Sequence, residues 1–142
     1  MRDLIRPLLW AVLIWFAGHV LWVFASPMWT QIEDVDTFGG RVLHTDFPPF
    51  LICFLAAFVA AWVHQAPERY DRPRHIIVSL LVPGVSTLGG VVMWAANFST
   101  SGAQWAMLSI AAQAAGGVGG WLIADLLPRR DKAAPPPEQY YY

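Results

Sequence analysis

Four apolar runs, Leu8 to Ala25, Pro49 to Gln65, Ile76 to Ala95 and Ala103 to Leu127, constrain this chain more than any other feature. Crossing a hydrocarbon core of about 30 Å takes roughly 17 to 25 apolar residues in helical form, and each run is that long. A soluble four-helix bundle would leave every helix a polar face at a period near 3.6, and none of the four carries one. Composition agrees, since 56% of the 142 residues are hydrophobic and only 13% are charged, which is too apolar for an ordinary small soluble domain. The predicted fold class is all-α: an integral membrane four-helix bundle occupying residues 1–128, followed by a tail over residues 129–142.

The connecting segments set the expected orientation. Arg2 and Arg6 precede the first run, Arg69, Arg72 and Arg74 lie between the second and third, and Arg129, Arg130 and Lys132 follow the fourth. Eight of the nine basic residues therefore fall on one side. The loop after the first run holds Glu33, Asp34, Asp36 and Asp46 against a lone Arg41. By the positive-inside rule both termini are cytoplasmic, residues 26–48 form an acidic external loop, and residues 66–75 form a basic inner loop. The formal net charge of -1 hides this asymmetry and offers no footprint for nucleic acid. The N-terminus could also be read as a cleaved signal peptide ending near Ala25 and Ser26. Its apolar stretch is longer than a signal core and carries bulky tryptophans at its outer end, so a retained helix is expected.

Local signals place the helix ends. Pro7 suits the first turn of the first helix, and Pro48 and Pro49 open the second, where missing amide hydrogens matter least. Gly39-Gly40 is the expected turn of the external loop. In "HQAPERYDRPRH" two prolines stop helix continuation. Only "NFSTSG" separates the third and fourth helices, which makes them an antiparallel neighbouring pair. Beyond Pro128 the sequence "RRDKAAPPPEQYYY" is too polar and proline-rich to bury a core, and a disordered, extended cytoplasmic tail is expected.

The fourth run contains "AAQAAGGVGGWLIADLL". Ala112, Gly116, Gly120 and Ala124 recur at four-residue steps and make one smooth face, which in a bilayer permits the close helix contact that drives association. A nucleotide-binding loop would need its glycines between a strand and a helix, and a hinge would leave backbone groups unsatisfied in lipid. An internal partner such as the third helix is expected, with a second copy of the chain as the alternative. In the third run, "SLLVPGVSTLGG" places Pro83 near mid-bilayer, where it removes a helical hydrogen bond and predicts a kink eased by Gly84. Ser86 and Thr87 lie at the same depth as Gln113 on the antiparallel neighbour, so an interhelical hydrogen bond to one of them is expected.

His19 is the ionisable group well inside a span, with Trp15 and Trp22 at helical spacing and Trp29 continuing the step. A bis-histidine haem site would need a second histidine at its depth, but His64 and His75 lie near the inner surface and His44 lies outside. A neutral His19, hydrogen-bonded within the bundle, is expected. His44 and Asp46, with Asp34 and Asp36, show no recognised ligand spacing, and the loop reads as solvated and acidic. Asp125 stands four residues before Arg129, a spacing suited to a surface pair. The lone Cys53 excludes an internal disulfide or a cysteine metal cluster. No metalloprotease helix, nucleophile elbow or phosphate loop is present, so no catalytic, cofactor-binding or metal-binding residue is assigned. The tryptophans near span ends read as interfacial anchors.

The tail offers docking candidates in Arg129, Arg130, Pro135, Pro136, Pro137, Tyr140, Tyr141 and Tyr142. A polyproline segment is already extended and docks at little entropic cost, while the tyrosines suit a partner or the headgroups. With the four spans, the tryptophan and alanine-glycine richness and the tail "LLPRRDKAAPPPEQYYY", the chain resembles small four-span proteins encoded by actinobacteria and their phages. These include holin-like lysis proteins and membrane partners in prophage-encoded defence. The resemblance implies a non-enzymatic protein of the bacterial cytoplasmic membrane that acts through a companion protein, in defence or superinfection exclusion. The alternative it implies is a holin-like protein that permeabilises the membrane as a homo-oligomer assembled through the glycine-rich fourth helix.

Overall fold

The computed structural model describes residues 2–29, 37–64, 71–96 and 103–127. Within them the chain is helical. Helix α1 spans Arg2–Trp29, a short helix α2 spans Phe38–Arg41, α3 spans Phe47–Val63, α4 spans Arg72–Ala96 and α5 spans Ala103–Leu126, with a π-helical turn over Val42–Asp46 joining α2 to α3. Four helical segments are long and apolar enough to cross a membrane: Leu4–Met28, Phe38–Val63, Arg72–Ala96 and Ala103–Leu126.

Several boundaries differ from those expected. Helix α1 begins at Arg2, so Pro7 lies inside it and not at its first turn, and Pro27 lies within its last turn. Each proline leaves a carbonyl without its helical partner close to a helix end, where unpaired backbone groups occur in any helix. The external loop is shorter than residues 26–48. Thr37 caps α2, its hydroxyl oxygen accepting from the Gly40 amide at 3.0 Å, so Gly39 and Gly40 are helical and do not form a turn. Pro48 and Pro49 sit in the first turn of α3, as expected, but the helical run continues back beyond them to Phe38. Having no amide hydrogens, they cannot bond the carbonyls of His44 and Thr45, and the helix passes them by widening. The Phe47 amide reaches back five residues to the carbonyl of Val42, which is the π pattern. Residues 30–36 of the same loop lie outside the described residues, as do residues 65–70 of the inner one. Helix α3 ends at Val63 with His64 as its cap, and α4 starts at Arg72, which puts Pro73 in its first turn where proline is tolerated. Helix α4 continues through Pro83.

Contacts determine the directions of the helices. Gly18 of α1 faces Ile52 of α3, and Ala11 packs with Ala56 and Ala60, so α1 and α3 are antiparallel. Gly116 and Gly120 of α5 face Phe50 and Phe54 of α3 in the same order, so those two run parallel. Ser86 meets Gln113 and Gly117 meets Pro83, so α4 and α5 are antiparallel. The result is an up-down-up-down arrangement with α3 in the middle, touching α1, α4 and α5, and packed most extensively on α5.

The sequence of α3 explains its central place. Ile52, Cys53, Ala56, Ala57, Ala60 and Ala61 are buried, and most of these are small enough to let neighbouring backbones approach. An adjoining row carries Phe47, Phe50, Phe54, Phe58 and Trp62, whose rings follow one another at centroid distances of 5.8 to 6.3 Å. Large apolar side chains elsewhere, such as Leu9, Phe16, Leu21 and Phe24 on α1 and Val92 and Met93 on α4, point outward. In water that exposure would promote aggregation, whereas in a bilayer it is the lipid-facing surface.

Candidate functional site

Polar side chains meet between helices at three depths of the bundle. At the end where α3 begins, Asp46 is 3% exposed and accepts a hydrogen bond from the Ser109 hydroxyl of α5. One turn away the Arg41 guanidinium lies over the Trp105 ring at 4.6 Å, a cation–π contact that shields the charge. Asp46 and Arg41 were expected in a solvated loop. The helix running from Phe38 carries them into the bundle end, and His44 with them to a half-buried place on the π turn.

Midway along the bundle, the Ser86 hydroxyl donates to Gln113 Oε1 at 2.9 Å, and Ser86 is also in side-chain hydrogen-bonding contact with Cys53. Thr87 serves its own helix, donating to the Pro83 carbonyl at 2.8 Å. The bond to Gln113 therefore comes from Ser86 and not Thr87. Pro83 is buried against Gly117, while nothing stands within 4 Å of a side chain built at Gly84.

The glycine face of α5 is filled from within the chain. Gly116, Gly120 and Ala124 are buried and Ala112 is half-buried. A Cβ at Gly116 would lie 2.2 Å from the Phe50 carbonyl oxygen, and one at Gly120 would lie 2.1 Å from that of Phe54. The helix seated on this face is α3, the second span. The third-span helix α4 takes the adjoining position, with Pro83 against Gly117.

His19 is half-buried, and its Nδ1 is 2.8 Å from the Trp15 carbonyl one turn earlier. A carbonyl only accepts, so Nδ1 carries the hydrogen. The ring lies 4.4 Å from that of Trp15 and edge-on to Trp22 at 6.4 Å. Its hydrogen bond is within its own helix.

The strongest constellation stands at the opposite end from Asp46 and draws on three helices. His64, capping α3, and His75, in the first turns of α4, are 1% and 4% exposed. Their Nδ1 atoms are 3.0 Å apart, their ring planes differ by 8° and their centroids are 5.3 Å apart. The centroid separation exceeds the nitrogen distance by one ring radius at each end, so the rings cannot lie face to face. They are coplanar and head-on, aligned along a single N–H···N bond. From α5, Asp125 Oδ1 approaches His75 Nε2 at 3.8 Å, and the Ser79 hydroxyl donates to the His75 carbonyl at 2.7 Å. Nearer the surface, Arg74 pairs with Asp71 at 2.8 Å, both solvent-accessible.

Sequence reasoning missed this site. It placed His64 and His75 at the inner surface as unrelated residues and paired Asp125 with Arg129. The available signal was the shared depth of three ionisable residues at adjoining ends of the second, third and fourth spans. Among the described residues no group of three or more His, Cys, Asp or Glu is arranged to hold a metal ion. The docking candidates Arg129, Arg130, Pro135, Pro136, Pro137, Tyr140, Tyr141 and Tyr142 lie outside the described residues.

No protein-family model, curated protein or solved structure matches this chain.

Proposed function

We propose that this is a non-enzymatic, multi-pass protein of the bacterial cytoplasmic membrane that acts by engaging a partner protein from its cytoplasmic side. The observation that carries the reading is the closure of the glycine face. Gly116 and Gly120 are covered by Phe50 and Phe54 of the same chain, so the surface best suited to assembling copies into a pore is already used. The mid-depth polar groups also satisfy one another, Ser86 with Gln113, and are therefore poor candidates for lining a water path.

Orientation follows from charge. The start of α1, the end of α3, the start of α4 and the end of α5 share one end of the bundle, and eight of the nine basic residues adjoin these helix ends in sequence. That end is assigned to the cytoplasm, with both termini inside. Partner contact is then assigned to residues 66–75 and the tail 129–142, whose prolines and tyrosines suit docking. A role in prophage-encoded defence or superinfection exclusion rests on the architectural resemblance alone.

The test is membrane potential, followed with a voltage-sensitive dye while the protein alone is induced in a bacterial host. The expected result is an unchanged potential at confirmed membrane expression, with loss of partner recruitment, but not of insertion, when residues 129–142 are deleted. A rapid collapse of the potential would overturn the reading in favour of the holin-like alternative.

A further inference from the structure

We infer that His64, His75 and Asp125 form a proton-binding site in which one hydrogen is shared along the line between the two Nδ1 atoms, so that the two histidines titrate as a single unit. The ligand is the proton itself, and the three residues belong to three different helices.

The argument starts from the head-on geometry. Two imidazole nitrogens aligned at 3.0 Å require one hydrogen between them, neither none nor two. Asp125 decides where the other hydrogens go. Its carboxylate oxygen faces His75 Nε2, which favours a hydrogen on that atom. Neutral His75 therefore offers its Nδ1 lone pair, and His64 donates from Nδ1, leaving the His64 Nε2 lone pair as acceptor. The neutral pair thus carries two ring hydrogens.

Adding one proton keeps this arrangement. It enters at His64 Nε2, and the central hydrogen stays on the Nδ1–Nδ1 line. The single positive charge is spread over both rings and opposed by Asp125. A second proton is incompatible with the geometry. Both Nδ1 atoms would then carry hydrogens pointing at each other, the central bond would be lost, and two imidazolium rings would face head-on in a nearly dry site. The pair therefore accommodates one added proton and separates at two, which uncouples α3 from α4 at the end where residues 65–70 connect them.

A metal ion does not fit the same observations. An ion coordinated by both Nδ1 atoms at about 2.0–2.1 Å would need either a longer separation for in-line ligation or rings turned toward an apex between them. The observed rings are collinear at a hydrogen-bond distance.

Among residues whose side chains are described, the charged and titratable groups at this end are as follows. From α3 the contribution is His64 itself. From α4, Asp71, Arg72 and Arg74 lie on the exposed side of the first turn, with Asp71 engaged by Arg74. From α5 there is Asp125, whose side chain is half exposed. From α1 it is Arg6, which is exposed. Among these groups Asp125 is the one in contact with the pair, through His75.

The experiment is 15N NMR of the full-length protein labelled at histidine nitrogen, in lipid nanodiscs, from acid to alkaline pH. His64→Gln and His75→Gln assign the resonances. Two histidines are expected to show a nitrogen–nitrogen coupling across the shared hydrogen. Their shifts should move together over one pH interval, and the coupling should vanish at the acid end. Loss of either ring should abolish the coupling and return the remaining histidine to independent titration. Asp125→Asn, which keeps the shape, should redistribute the hydrogens between the Nε2 atoms while preserving the coupling. The absence of any nitrogen–nitrogen coupling between histidines at every pH in the unsubstituted protein would overturn the proposal, whether or not the variants fold.

Discussion

A methyl group added at Gly116 or Gly120 tests the α3–α5 interface most directly. The new carbon would stand 2.2 Å from the Phe50 carbonyl oxygen or 2.1 Å from that of Phe54. Both obstacles are helix backbone and cannot rotate aside. Restoring ordinary contact requires the two helices to part by more than 1 Å, and a gap of that size forfeits a quarter to a half of each affected dispersion contact. Overpacking of this kind costs about 1–3 kcal/mol, and a rigid obstacle places it near the top of that range, while alanine returns up to about 1 kcal/mol of helix propensity. The expected net loss is about 2 kcal/mol for either variant. Gly119→Ala is the control, because its Cβ would meet the Phe54 ring at an ordinary 3.6 Å, so it should be neutral or stabilising by up to about 1 kcal/mol. Cys53 supplies the assay, being the single cysteine of the chain and fully buried. In detergent, its labelling by a thiol-reactive dye should accelerate about 30-fold in Gly116→Ala or Gly120→Ala, as 2 kcal/mol implies, and should not accelerate in Gly119→Ala. Equal labelling in all three variants would refute the account of the interface.

Two further outcomes follow from the polar contacts. Gln113→Leu removes the acceptor of the Ser86 hydroxyl and should lower stability by about 0.6–2 kcal/mol. A double-mutant cycle should show coupling with Ser86→Ala and none with Thr87→Val, since Thr87 bonds its own helix. Replacing Pro48 and Pro49 together with alanine restores two amide donors and should let the π turn revert to α, rotating Asp46 away from Ser109. Ser109→Ala should then destabilise the parent protein by about 1–3 kcal/mol and the double variant far less, as read from thermal unfolding.

Much of the architecture is legible in the sequence because helices long and apolar enough to cross a membrane stand out by length and composition alone. Length and hydrophobicity locate four spans within a few residues, and glycines at four-residue steps in α5 mark a close-packing face without naming its partner. The partner is α3, because the parallel helix presents Phe50 and Phe54 carbonyls in register with Gly116 and Gly120, a match no local pattern encodes. The start of the second span is also hidden. Gly39-Gly40 reads as a turn and Pro48-Pro49 as a helix start, yet the Thr37 cap and a widened turn extend the helical run back to Phe38. The histidine pair is the least legible element. His64 and His75 are separated by a polar loop, and no local spacing in the sequence relates either of them to Asp125 on the last helix.

The central position of α3 also bears on how the molecule is made. A chain inserted in order from its N-terminus places α1, α3 and α4 in the membrane before α5 exists, yet α5 forms the most extensive interface that α3 has. Until the last span arrives, the ridge of Phe50 and Phe54 and the half of the polar contacts that α5 supplies face lipid or water instead of protein. The first three spans are therefore an incomplete object whose largest seam is still open. A product truncated before Ala103 would expose to membrane quality control the ridge that the finished protein covers.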